Sequence, residues 1–214
     1  MFFLGFSSGL PLLLVLGTLS FWMREVGVDL KSIGFMSWVG LCWGMKWLWS
    51  PLVDKLRIPL LSSRLGQRRA WLLTAQIGLI VSLALMAFAD PAKSLTLTAA
   101  LALSTAFFGA TQDIALDAFR IESGSEEKQA AFAATYQTGY RLAMIWAGAG
   151  ALAIAAFFET QFGTAVGWRS AYLVMSASML VGVVTVLLSL SRSKAGECMH
   201  RPMQVSASGF SKHL

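Results

Sequence analysis

The sequence predicts an all-α integral membrane protein, folded as a bundle of six transmembrane helices. Apolar residues make up 56% of the 214 residues and charged residues only 13%, and the mean hydropathy is +0.64. This balance is typical of a chain surrounded by lipid. Six apolar runs are long enough to cross a hydrocarbon core, which takes roughly 20 residues of helix. No polar stretch between them is long enough to form a soluble domain.

The six predicted spans are bounded by charged residues or by proline. The first run stops before Arg24, the second stops at Asp54, and the third lies between Arg69 and Asp90. The six runs cover residues 2–23, 32–53, 70–89, 95–118, 130–157 and 171–190. Because the connections between most of them are short, we expect neighbouring helices to run in opposite directions.

The distribution of basic residues predicts the orientation in the membrane. The formal net charge is +6. One set of connections and the end of the chain hold Lys55, Arg57, Arg64, Arg68, Arg69, Arg192, Lys194, Arg201 and Lys212, whereas the opposite connections hold only Arg24, Lys31, Lys93 and Arg169. By the positive-inside rule, both termini are expected in the cytoplasm. Contact with anionic lipid accounts for this charge, and we expect no binding of nucleic acid.

The last part of the chain differs from the rest. Residues 191–214 show no helical or strand-like apolar period, so we expect a disordered cytoplasmic tail. The two histidines, His200 and His213, both lie there, and the two cysteines, Cys42 and Cys198, form no plausible pair. We therefore expect no metal site and no cofactor. The chain also starts directly on a span, and both ends are expected to be cut.

Charged residues inside the spans are the main candidates for function. A charge there costs about 2.5 to 3.5 kcal/mol on insertion scales, so it usually faces a partner or a water-filled cavity. The candidates are Lys46, Asp113, Asp117 and Arg141. Alternatives remain open, because Lys46 and Arg141 can extend to the headgroups.

Helix 4 carries several of these candidates on one face. Asp113, Asp117 and Arg120 follow at i, i+4 and i+7, with Gln112 beside them, so one side of the helix is expected to be wet or paired. Asp113 is at a depth suited to pairing with Lys46 or Arg141, and it is a candidate for binding a proton. A simple salt bridge between Asp117 and Arg120 at the helix end is the alternative for that pair.

The first helix contains Ser7, Ser8 and Pro11 among small residues. Proline removes one backbone hydrogen bond and bends a helix, so serine hydroxyls and free carbonyls near the bend can bind a polar solute. A kink that serves packing alone is the other interpretation.

Several motifs resemble the major facilitator superfamily, and within it the muropeptide permeases of the AmpG type and their acetyl-CoA transporter relatives. The sequences SPLVDK at 50–55 and GQRR at 66–69 are similar to the loop signature between helices 2 and 3 of the superfamily. Ser50 stands where that signature has glycine, and extra residues separate its two parts. LGFSSGLP at 4–11, ATQDIALDAFR at 110–120 and GYRL at 139–142 resemble the permeases more closely.

This resemblance implies a carrier built from two six-helix halves, of which the chain is the N-terminal half. It implies uptake of anhydromuropeptides, the sugar-peptide fragments of cell-wall turnover, across the bacterial inner membrane together with protons, by alternating access. It also implies roles for particular residues. Gln112, Asp113, Asp117, Arg120 and Arg141 are expected in the cavity or its gates, and Asp54, Arg68 and Arg69 in the cytoplasmic gate.

Three alternatives accompany this prediction of a carrier that is not an enzyme. A single half offers one wall of a cavity, so the chain is either an inactive fragment, as a frameshift would leave, or one member of a homodimer. The pair Asp113-x3-Asp117 also faintly resembles the aspartate motifs with which intramembrane prenyltransferases hold Mg²⁺. Such enzymes need two aspartate-rich motifs, and this sequence has one.

Overall fold

The computed structural model describes residues 1–56, 58–59, 61–122 and 126–199, and all regular structure within these ranges is helical. We number six helical segments α1 to α6. Five of them are long and apolar enough to cross a bilayer, namely Phe2–Glu25 (α1), Gln67–Phe88 (α3), Leu95–Glu122 (α4), Gln129–Phe162 within α5, and Thr164–Ser189 within α6. The prediction of an all-α multi-pass membrane protein is confirmed.

Segment α2, residues 30–55, is broken, and the prediction of a continuous second span at 32–53 is wrong. Its pieces are Leu30–Met36, the 3-10 turn Ser37–Gly40, Leu41–Gly44, the 3-10 turn Lys46–Leu48, and Ser50–Lys55. Glycines 34, 40 and 44 lower the helix propensity of this run. Pro51 lies in the first turn of the last piece. Proline has no N–H to donate to a preceding turn, so a helix tolerates it at its start and is interrupted by it elsewhere.

The other helices extend beyond their predicted apolar runs. Segment α5 consists of Glu126–Ile145, the π-helix Trp146–Gly150 and Ala151–Phe162, and α6 consists of Thr164–Ser178 and Leu180–Met199. Gly163 separates them with a φ of +89°, a backbone conformation that glycine adopts without steric cost. Charged residues such as Glu159 and Arg169 are therefore part of helices and not of loops, since helix continues outside the hydrocarbon core.

The expected disorder of residues 191–214 does not hold over its first part, because α6 continues as helix to Met199. The segment 191–199 lacks an apolar period, but it also lacks proline, and alanine, lysine, arginine and glutamate favour helix. Residues 200–214 lie outside the part of the chain that the structure describes. A short helix, Leu61–Leu65, precedes α3.

Segment α1 is the centre of the bundle. It packs along α5 and also contacts α4 and α6, while α3 packs against α4 and α6. The buried core contains Leu10, Leu14, Leu19, Trp22, Met23, Leu79, Leu83, Met86, Tyr172, Met175 and Met179. The outward faces expose large apolar side chains such as Phe88, Phe157 and Leu188, as expected of a protein surrounded by lipid.

Two π-helical turns lie side by side within the bundle. The π-helix Leu14–Thr18 interrupts α1 and the one at Trp146–Gly150 interrupts α5. The hydroxyl of Thr18 donates to the carbonyl of Ala147 at 2.7 Å, and the hydroxyl of Tyr172 donates to the carbonyl of Leu14 at 3.1 Å. A π turn disturbs the regular backbone pairing of a helix, and these buried hydroxyls bond carbonyls within the disturbed turns.

Thr18→Val is expected to lower the free energy of unfolding by about 1–2 kcal/mol, since it leaves the buried carbonyl of Ala147 without this donor. Thr160→Val is the matched control, because Thr160 is exposed and donates within its own helix, to Phe157. Thermal unfolding of the detergent-purified variants measures both effects. Equal melting temperatures for the two variants would contradict the assigned role of Thr18.

Candidate functional site

A polar cluster around Asp113 lies where α1, α4 and α5 meet. The hydroxyl of Ser8 donates to the Asp113 carboxylate, and the same Ser8 oxygen lies 3.0 Å from the hydroxyl of Tyr136 on α5. Ser8 is 3% exposed. Three helices thus contribute one side chain each to a polar cluster inside an apolar bundle.

Glycines allow α1 and α5 to approach closely enough for this cluster to form. A Cβ atom at Gly5 would collide with the carbonyl oxygen of Tyr136, and one at Gly9 with that of Tyr140. A Cβ atom at Gly139 would in turn collide with the carbonyl oxygen of Phe2. Small residues at such a crossing let two backbones touch, and this contact brings Tyr136 within reach of Ser8.

A chain of charged groups begins one helical turn from Asp113. Lys46 Nζ lies 3.5 Å from Asp117 Oδ2, and Arg120 Nη2 lies 3.6 Å from Asp117 Oδ1. The Arg120 guanidinium stands 5.5 Å from the centre of the Tyr136 ring, which joins this chain to the Asp113 cluster. The structure thus contains the salt bridge between Asp117 and Arg120 that the sequence left as an alternative.

The expected pairing of Asp113 with Lys46 or Arg141 is wrong. Lys46 lies within the broken part of α2 and faces Asp117 instead. Arg141 is exposed, and among the described residues no carboxylate lies within 4.0 Å of it. It stands two residues beyond Gly139, which faces α1, and two residues turn an α-helix by about 200°. Arg141 therefore points away from the cluster.

Ser7 is the centre of a second, fully buried polar cluster. The amide nitrogens of Gln112 and Gln76 lie 3.3 Å and 3.5 Å from its hydroxyl oxygen, and that hydroxyl donates to the carbonyl of Leu4 at 2.9 Å. Within the part of the chain that the structure describes, neither glutamine's amide oxygen has a hydrogen-bond partner. Gln76 was missed in the sequence, although an amide in the middle of an apolar run is a signal of the same kind as a charge.

The residues assigned to a cytoplasmic gate lie together at one end of the bundle. Arg68 forms an ion pair with Asp54 and another with Glu122, the latter at 3.0 Å. The Gln67 amide donates to the carbonyl of Val53 at 3.2 Å. Arg69 is not part of these ion pairs and lies over the Phe119 ring, 5.5 Å from its centre. Glu122 was missed as a site residue, although it ends α4 beside the basic loop.

The two carboxylates of α4 do not share one binding site. Asp113 and Asp117 have different partners, since Ser8 holds the first and two cations hold the second. A metal ion between the two carboxylates would have to displace both cations. In the described ranges no group of three histidine, cysteine or acidic side chains is placed to hold a metal ion.

Comparison with known proteins gives consistent similarities. The family model described as "Acetyl-coenzyme A transporter 1" matches residues 1–191. The anhydromuropeptide permease of Escherichia coli strain K12 is 42% identical over 186 residues, which are 87% of this chain and 36% of the permease. The Rickettsia felis protein named "Putative transporter AmpG 4" is 35% identical over 186 residues, with 87% of this chain and 43% of that protein covered. The chain thus spans roughly two fifths of the length of these relatives.

Proposed function

The chain belongs to the acetyl-coenzyme A transporter 1 family, and from this membership we propose that it is the N-terminal half of a carrier for anhydromuropeptides. The carrier takes up these cell-wall sugar-peptide fragments together with protons. It works by alternating access in a bacterial inner membrane. The similarity to the anhydromuropeptide permease over 87% of this chain supports this choice of solute.

The observation that carries the proposal is the Asp113 cluster. A carboxylate inside the bundle is bonded to the Ser8 hydroxyl, and no cation among the described residues forms an ion pair with it. A hydroxyl can donate to an ionised carboxylate and accept from a protonated one. Asp113 can therefore gain and lose a proton without breaking an ion pair, as a proton-coupled carrier requires.

The ion pairs of Arg68 with Asp54 and Glu122 are proposed as the cytoplasmic gate. They join the end of α2, the start of α3 and the end of α4. Side chains there are a quarter to a half exposed, and such ion pairs are worth only about 0.2–1 kcal/mol each. Contacts this weak can open and close during transport. Both termini of the chain are proposed to lie on this side, as the basic residues predict.

A complete cavity needs a second set of helices. The relatives are more than twice as long as this chain, which covers 36% and 43% of two of them. We propose that the missing wall comes either from a further six-helix half or from a second copy of this chain.

A chimeric carrier tests the proposal. Residues 1–191 replace the matching segment of the Escherichia coli anhydromuropeptide permease, and the chimera is expressed in cells that lack the native permease. We expect uptake of radiolabelled anhydromuropeptide, and we expect a protonophore to abolish it. A chimera that reaches the membrane and gives no more uptake than an empty vector would contradict the proposal. Expressing residues 1–214 alone in the same cells tests the homodimer, because only a homodimer would restore uptake.

A further inference from the structure

We propose that the exposed face of α5 formed by Gln137, Thr138 and Arg141 binds a carboxylate of the transported solute. This inference rests on the proposed function, which supplies the solute. It assigns a carboxylate of that solute to α5.

The first part of α5 does not have the outward face of a lipid-exposed helix. From Gln129 to Arg141 no large apolar side chain is exposed, whereas Gln137, Thr138 and Arg141 are exposed. By contrast, α6 exposes Val181, Val184 and Leu188 on its outer face. The exposed polar side chains of Gln137 and Thr138 and the charge of Arg141 face water or protein, since lipid does not solvate such groups.

Charge also favours an anion at this face. The candidate cations Lys46, Arg120 and Arg141 differ in their carboxylate partners. Asp117 pairs with both Lys46 and Arg120. Arg141 is the one of the three that has no carboxylate within 4.0 Å in the described ranges. A solute carboxylate supplies the missing partner.

The side chains are suited to this ligand. A guanidinium binds a carboxylate through two parallel N–H bonds, and Gln137 lies one helical turn before Arg141, on the same face.

The same chemistry could come from a carboxylate in the second half of the carrier. Such an ion pair would hold the two halves together, and it would not depend on the charge of the solute. Two measurements separate these sources, one on the 214-residue chain and one on the chimera.

The first measurement is charge-selective labelling of Thr138→Cys in membrane vesicles, in a chain that also carries Cys42→Ala and Cys198→Ala. We expect a sulfonate thiol reagent to react faster than an ammonium one. Arg141→Gln should lower the ratio of the two rates about tenfold, because it removes one charge near the thiol. Val184→Cys, on the apolar face of α6, is the control and should react with neither reagent. Absence of labelling at both Thr138→Cys and Gln137→Cys would overturn the proposal, as would an unchanged ratio.

The second measurement compares uptake of the free solute and of the solute with its peptide carboxylates amidated. In the chimera we expect amidation to lower uptake at least about tenfold. In the chimera with Arg141→Gln, both solutes should enter equally slowly, while Arg141→Lys should retain part of the preference. An equal effect of amidation with and without Arg141 would overturn the inference and point to a pair with the second half. If the proposed function itself is wrong, the chimera takes up neither solute. The labelling ratio at Thr138→Cys still measures the charge of this face in that case.

Discussion

Asp113→Asn is expected to lower uptake by the chimeric carrier at least about 100-fold, equivalent to roughly 2.7 kcal/mol in the barrier. Asparagine has nearly the same shape and can still accept a hydrogen bond from Ser8, but it cannot bind and release a proton. The loss should therefore affect transport and leave the fold intact. Uptake assays together with the amount of chimera in the membrane measure the two effects separately.

Asp117→Asn is the matched control for this result. Asp117 lies one helical turn away, is 43% exposed, and pairs with Lys46 and Arg120 at 3.5 and 3.6 Å. Ion pairs of this exposure contribute only about 0.2–1 kcal/mol, so we expect uptake to fall no more than a few-fold. Normal uptake by the Asp113→Asn chimera would remove Asp113 from the mechanism, whatever the control shows.

Gly5→Ala is expected to destabilise the chain by roughly 1–3 kcal/mol through overpacking at the crossing of α1 and α5. The new Cβ would collide with the carbonyl oxygen of Tyr136 and lie 2.9 Å from its carbonyl carbon. These are backbone atoms, so the helices must move apart, and alanine returns at most about 1 kcal/mol through its helix propensity. Thermal unfolding of the purified chain measures the loss, at about 2–4 °C for each kcal/mol.

Gly34→Ala provides the comparison, because a Cβ atom at Gly34 would meet no atom within 4 Å. The same substitution in a helical piece should leave the melting temperature unchanged or raise it slightly. If Gly5→Ala and Gly34→Ala have the same melting temperature, the contact of α1 with α5 does not limit stability. The Gly5→Ala chimera should also transport poorly, since parting the helices separates Ser8 from Tyr136.

The sequence was sufficient to predict five of the six membrane segments as long helices. Five runs became helices of at least the predicted length, since apolar length and helix propensity act together there. In α2 they conflict, because glycines 34, 40 and 44 and Pro51 interrupt an apolar run. Hydropathy measures the apolar character of the run and not its helix propensity. The run was therefore predicted as one helix, whereas the structure shows it broken.

The sequence predicted which charged side chains of α4 share one side of the helix, but it did not predict their partners. Spacing along α4 placed Asp113, Asp117 and Arg120 on one side, and the structure brings Asp113 to Ser8 and Arg120 to both Asp117 and the Tyr136 ring. Which charge pairs with which depends on the rotation of α2 and α5, to which a single sequence gives no access. Neutral partners were the main omission, because Tyr136 and Gln76 carry no charge to mark them.

The paired π turns have a consequence for the order of side chains along the bundle. A π turn adds one residue to an α-helix, and one residue corresponds to a rotation of about 100°. Everything in α1 after Thr18 is therefore turned by that angle relative to an unbroken helix, and α5 undergoes the same turn after Gly150. Trp22, in the part of α1 that follows its π turn, stacks on Trp168 of α6 with 5.8 Å between the ring centres. Because α1 and α5 each contain one π turn, deleting one residue from either turn would rotate the side chains of that helix beyond the turn by about 100° and leave the other helix unchanged.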